Sequence, residues 1–105
     1  MTINNNKEVT RGDSGLFSVT LYDKEGTEYV PAEGETLTFY LLKKECDDIT
    51  EAILTKDIPV GTMQLELTPQ ETASLQKGSY AYRIRIIDLF GHEWTVVKSK
   101  LNIIC

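Results

Sequence analysis

Apolar and polar residues alternate along much of the chain. A period of two reads as β-structure, because successive side chains of a strand point to opposite faces. Phe17, Val19 and Leu21 alternate with Ser18, Thr20 and Tyr22. The next segment, Asp23-Lys24-Glu25-Gly26, has the composition of a turn. Glu28-Tyr29-Val30 predicts a short strand, and Pro31, which lacks a backbone donor, suits a sheet edge. Leu37, Phe39 and Leu41 alternate with Thr36, Thr38, Tyr40 and Leu42 in a strong strand. A weaker one covers 52–57. Met63, Leu65 and Leu67 alternate with Gln64, Glu66 and Thr68.

Thr68-Pro69-Gln70-Glu71 breaks this pattern. Thr at the N-cap, Pro at the first helical position and Glu three residues after the cap form a capping box. Gly78 limits the helix to one short turn near residues 69–75. The chain then returns to period two, with Tyr80, Tyr82, Ile84 and Ile86 on one face and Ala81, Arg83, Arg85 and Ile87 on the other. Asp88-Leu89-Phe90-Gly91-His92 reads as a hairpin connection with Gly in the turn. Trp94 and Val96 open the last strand at core parity, opposite to that of Val97, Leu101 and Ile103. A bulge near Lys98-Ser99-Lys100 is expected to reconcile them.

About seven strands spaced roughly ten residues apart, with one helical turn, predict an all-β chain. The expected fold is an antiparallel immunoglobulin-like β-sandwich. It forms a single domain over 1–105, with 1–6 as a flexible N-terminal arm. Strands do not alternate with long helices, which excludes a nucleotide-binding α/β fold. The segment Leu75-Gln76-Lys77-Gly78-Ser79-Tyr80-Ala81-Tyr82 resembles the tyrosine corner of immunoglobulin-like domains, in which a Tyr hydroxyl bonds back to nearby backbone. Parity does not choose between Tyr80 and Tyr82 for that role, and simple core packing of both rings is the alternative.

Composition adds exclusions. The hydrophobic share of 41% and charged share of 26% are those of a folded domain. At 105 residues the chain buries about two-thirds of its unfolded surface, so it needs neither metal nor disulfide to fold. The net charge of −5 disfavours nucleic acid as a partner. The charge is uneven: residues 1–52 carry eleven acids and five bases, and residues 53–105 five acids and six bases. The acids around Cys46-Asp47-Asp48-Ile49-Thr50-Glu51 suit a solvated loop better than a calcium site, since the EF-hand spacing is absent. One histidine, His92, and two cysteines, Cys46 and Cys105, cannot easily assemble a zinc site, and no cofactor or metal is expected. A Cys46–Cys105 disulfide is weakly motivated, and free thiols are the preferred reading. The first residues lack an apolar signal-peptide core, so no signal peptide and a chain that stays in the cytoplasm are expected. No apolar run approaches the ~18 residues that span a bilayer.

Several segments carry a family resemblance. Arg11-Gly12-Asp13-Ser14 precedes the first strong strand. Thr68-Pro69-Gln70-Glu71-Thr72-Ala73-Ser74-Leu75 leads through Gly78-Ser79-Tyr80 into Tyr82-Arg83-Ile84-Arg85-Ile86-Ile87-Asp88, and Gly91-His92-Glu93-Trp94-Thr95-Val96-Val97 comes after it. This order, over roughly 7–104, resembles small immunoglobulin-like domains of phage and prophage tail or baseplate proteins of Gram-positive bacteria, such as the N-terminal domain of baseplate upper proteins. The resemblance implies a non-enzymatic virion component working through contacts with other phage structural proteins, and homo-oligomerisation. Baseplate upper proteins continue beyond such a domain. This sequence stops at Cys105, which leads us to expect a stand-alone adaptor or another place on the particle.

Little else points to chemistry. Arg11-Gly12-Asp13 matches the integrin tripeptide, but a turn built on Gly12 and Asp13 is the simpler reading. No serine lies in a nucleophile-elbow sequence, and the acids near His92, Asp88 and Glu93, do not make a triad. With Leu37, Phe39, Leu41, Tyr82, Ile84 and Ile86 inside, the outer face of the sheet is expected to carry Tyr40, Leu42, Arg83 and Arg85, with Val97 beside them. Tyr and Arg next to apolar residues are characteristic of interface hot spots, so these five form the candidate interaction surface. The alternative function is a carbohydrate-binding or adhesion module, with Trp94 and the tyrosines as aromatic faces.

Overall fold

Each run of alternating residues becomes a strand in the computed structural model, which describes residues 7–22 and 25–105. The expected N-terminal arm over 1–6 and the first half of the Asp23-Lys24-Glu25-Gly26 turn lie outside the described residues. The strands are β1 (Lys7–Thr10), β2 (Gly15–Ser18), β3 (Leu21–Tyr22), β4 (Glu28–Tyr29), β5 (Thr36–Leu42), β6 (Leu54–Ile58), β7 (Gln64–Leu67), β8 (Gly78–Ile87) and β9 (Glu93–Ile104). The helix α1 spans Pro69–Ala73, and a 3-10 turn covers Ile49–Glu51. The fold is all-β and sandwich-like.

The main sheet has five strands in the order β1-β9-β8-β5-β6. Its last, penultimate and middle strands, β9, β8 and β5, lie side by side. Two short pairs, β2-β7 and β3-β4, cover its inner face. Among the described residues all pairings are antiparallel except one: β1 runs parallel to β9, with Val9 opposite Ile103. A parallel pair needs a long crossover. Here the whole intervening chain supplies it, so the expectation of purely antiparallel sheets is corrected at this edge.

Among the described residues nine strands replace the seven expected, for two reasons. The 17–22 run is split because β2 pairs with β7 and β3 with β4, while the Val19 amide between them donates to the Met63 carbonyl at 2.8 Å. Strand β1 is added, and its single core residue, Val9, leaves too little alternation to read.

The core gathers Leu37, Phe39 and Leu41 of β5 with Tyr82, Ile84 and Ile86 of β8, all on the face expected from parity. Leu65, Leu67, Val19 and Leu21 close over them from the other layer. Each fully buried Leu, Ile or Phe contributes roughly 1.5–3 kcal/mol. Phe39 and Tyr82 stack at 5.3 Å between ring centroids.

The bulge in β9 lies elsewhere than expected. The register steps from Ile84↔Val97 to Arg85↔Thr95, so the extra residue is Val96. Lys98, Ser99 and Lys100 alternate regularly, and Ser99 is buried because it pairs with Tyr82, whose hydroxyl it hydrogen-bonds. An inward serine at a core position mimics a break in parity.

Helix α1 has the full capping box. The Thr68 hydroxyl accepts from the Glu71 amide at 3.2 Å, and the Glu71 carboxylate accepts from the Thr68 amide at 2.9 Å. Lys56 of β6 adds an ion pair to Glu71 at 2.9 Å, tying the helix to the sheet edge. The tyrosine corner falls to Tyr80: its hydroxyl donates to the Gln76 carbonyl at 2.7 Å, four residues upstream.

Candidate interaction surface

The outer face of the main sheet places Tyr40 opposite Arg83, and Arg83 opposite Lys98. Two of the five residues expected on this face are not at the surface. Leu42 is fully buried, and Val97 is 3% exposed within the core. Val97 turns inward because the bulge at Val96 reverses the parity of β9 beyond it. Leu42 keeps its outward parity beside Ala81, and both are buried at that end of the face.

The segment 43–53 is held to this sheet. Nη2 of Arg83 donates to the Glu45 carbonyl at 2.6 Å, and Lys98 Nζ lies 3.7 Å from the Glu45 carboxylate. The Ile53 amide bonds to the Leu41 carbonyl at 2.8 Å. Arg85 is engaged as well: its buried Nε sits 3.2 Å from a Glu93 carboxylate oxygen, an ionic contact without hydrogen-bond alignment. The structure thus brings Tyr40, Arg83 and Arg85 together, half-buried, and engages both arginines within the chain.

The acidic segment beside them has structural work. Asp47 accepts from the Lys44 amide at 3.1 Å, and Asp48 caps the 3-10 turn through the Thr50 amide at 3.0 Å. The hydrogen bond from Thr50 holds the Asp48 carboxyl below its ordinary value, and the Arg83 and Arg85 charges reinforce this. Among the described residues no three His, Cys, Asp or Glu side chains gather as a metal-ligand set. Cys46 and Cys105 are free, exposed thiols.

Arg11-Gly12-Asp13 forms a turn. Asp13 N–H bonds to the Thr10 carbonyl at 3.0 Å, and Gly12 takes a φ of +90° that favours glycine. The Arg11 side chain donates through Nε to the Leu75 carbonyl at 2.7 Å, which commits it to the fold.

Three exposed apolar side chains, Phe90 the most exposed of them, lie at the β8-β9 hairpin, which the alternation pattern marks only as a connection; Leu16, Val30 and Ile53 are exposed elsewhere. Phe90 is 85% exposed, Leu89 62% and Trp94 44%. Parity in the sequence assigns Trp94 to the core. It does share a register position with Ile86, but at the sheet's end, where cover is incomplete. Two adjacent apolar residues inside a turn that ordinarily takes polar ones are the available signal.

The hairpin is held from within. One Asp88 carboxylate oxygen accepts from the amides of Phe90 and His92, both at 2.9 Å, and the other lies 3.2 Å from His92 Nδ1. Burial pushes the Asp88 carboxyl up, but the His92 and Phe90 amides and the His92 ring outweigh it and leave it below its ordinary value. The neighbouring 31–35 loop is braced by Glu35, which accepts from the Tyr29 hydroxyl at 2.7 Å and the Ala32 amide at 2.6 Å. That carboxylate pushes the Tyr29 hydroxyl up to about 12. Leu89 lies so close to Gly34 that a Cβ there would meet it at 2.5 Å. The result is an apolar tip on a hairpin braced by hydrogen bonds, and bracing of this kind lowers the ordering cost of binding.

No protein-family model and no curated protein matches the sequence. Among solved structures, the chain is similar to CopC from Methylosinus trichosporium OB3b, at 19% identity and a TM-score of 0.39, with 69% of each chain covered. A likeness that distant carries no functional argument. Among the described residues no helix is long and apolar enough to cross a membrane.

Proposed function

We propose that the chain is a phage or prophage structural protein of the tail or baseplate region, acting as a non-enzymatic protein–protein interaction module. The observation that carries this reading is the β8-β9 tip, where Leu89 and Phe90 stand exposed on a hairpin braced by Asp88. Loops clustered at one end of an immunoglobulin-like sandwich are its usual recognition element. An aromatic anchor on a hydrogen-bonded turn has the character of an interface hot spot. The resemblance of residues 7–104 to phage tail and baseplate domains supplies the context. Its partners are structural proteins of the particle, further copies of the chain included. The exposed His92 ring is engaged by Asp88 in bracing the turn, which supports a structural rather than a catalytic role.

Deletion of the reading frame from an inducible prophage tests this, with electron microscopy of the released particles. The expected result is particles with defective or missing tail ends, restored by the wild-type chain and not by Phe90→Ser. Normal, infectious particles from the deletion strain overturn the reading.

A second reading rests on the same tip. Trp94 and Phe90 present aromatic surface near Asp88 and His92, the chemistry of a carbohydrate platform. Binding on a glycan array that is lost in Trp94→Ala would favour it, and an empty array removes it.

A further inference from the structure

The molecule measures 39 × 27 × 23 Å, and β8 runs its ten residues between two ends of different chemistry. At the far end of β8 stands the Leu89-Phe90 tip. The acids near it outnumber the bases: Asp88, bound within the turn, Glu93, paired with Arg85, and Glu33 in the loop that Leu89 touches at Gly34. At the near end, beside Tyr80 and Ala81, lies an open groove of about 250 Å³ lined also by Lys43, Lys44, Lys100 and Glu45. Among the described residues Glu45 is the one carboxylate that lines the groove, against three lysines, so the lining is net basic.

The two ends fit each other in kind. Lysine stems offer apolar walls while their ammonium groups stay at the rim. An aromatic ring between such groups gains cation–π attraction. The acids around the tip then face the lysines of the groove, and complementary charge of this sort sets register and orientation.

We propose that the partner of the tip is a second copy of this chain, with Leu89 and Phe90 of one copy seated in the Lys43/Lys44 groove of the next. The proposal rests on the interaction-module reading and names the partner of its tip. The contact is head-to-tail, because tip and groove lie at opposite ends of β8. A head-to-tail contact generates a ring if the rotation closes and a filament if it does not. Its small area makes a single contact weak, and ring closure multiplies it.

The test is sedimentation velocity with matched NMR spectra of the labelled full chain, over a dilution series from about 1 mM. The expected result is a mass that rises with concentration and falls with added salt. The amide resonances of residues 89–91 and of 43, 44 and 81 move together. Phe90→Ser alone and Lys43→Glu/Lys44→Glu alone each abolish the rise. Mixing the two variants restores association but stops at a dimer, because one intact groove meets one intact tip. Phe90 and the two lysines are exposed, so the variants fold, and the spectra verify it. Three results overturn the proposal: a monomer over the whole series, association that survives either variant, or a mixture that fails to associate. Each leaves the particle experiment on the deletion strain free to succeed or fail by itself.

Discussion

The hydroxyl of Thr72 accepts the backbone amide of Gly12 at 3.0 Å. It also donates to the Asp13 carbonyl at 2.8 Å, and Thr72 is fully buried. One side chain of α1 therefore holds the turn that carries the chain from the main sheet at β1 to the opposite layer at β2. Thr72→Val keeps the shape and leaves both backbone groups without this partner, at a cost of about 1–3 kcal/mol. Urea denaturation measures it. Thr72→Ser, which keeps the hydroxyl, stays closer to the wild type, and equal midpoints for Val and wild type would contradict the assignment.

Tyr80 is the corner residue. Tyr80→Phe removes its bond to the Gln76 carbonyl and costs about 1 kcal/mol. The loss appears as a lower denaturation midpoint with an unchanged slope, since the surface exposed on unfolding is the same.

Glu71 links stability to pH. Burial pushes its carboxyl up, but the hydrogen bonds from Thr68 and Lys56 outweigh this and hold it below its ordinary value. A folded pKa below the unfolded one means the unfolded chain binds the proton more readily. The stabilisation is therefore present above the unfolded value of about 4.3 and is lost as pH falls through the lower folded value. Glu71→Gln should lower stability at neutral pH and flatten this part of the acid limb, measured by denaturation at pH 7 and pH 3. A Gln variant with an unaltered acid limb would contradict the linkage.

Gly34 sits at φ +93°, a backbone conformation that L side chains rarely adopt. Gly34→Ala strains that backbone by roughly 1–2 kcal/mol and pushes Leu89 aside. Loss of stability together with shifted amide resonances at 88–92 is expected. A shift confined to the 31–35 loop would show that the tip does not lean on it.

The strands are legible in the sequence where one face is buried, as in β5 and β8, because burial forces strict alternation. The capping box is legible because Thr68, Pro69 and Glu71 satisfy helix-end donors by local spacing alone. Long-range choices are not. Tyr80 and Tyr82 share a parity, and only the fold brings the Gln76 carbonyl to one and Ser99 to the other. The bulge is misplaced by the pattern because Ser99 is polar yet inward. The outer-face patch loses Leu42 and Val97 because parity reports a direction, not what lies over it. The exposed tip escapes the pattern because a connection carries no period against which Leu89 and Phe90 could stand out.

Quantitative mass spectrometry of purified particles, induced from the source strain by DNA damage, is the decisive experiment for a place in the virion. Peptides of this chain are expected at a fixed, multiple copy number per particle, in proportion to other tail proteins. Their absence from particles in which those tail proteins are detected would refute the virion role.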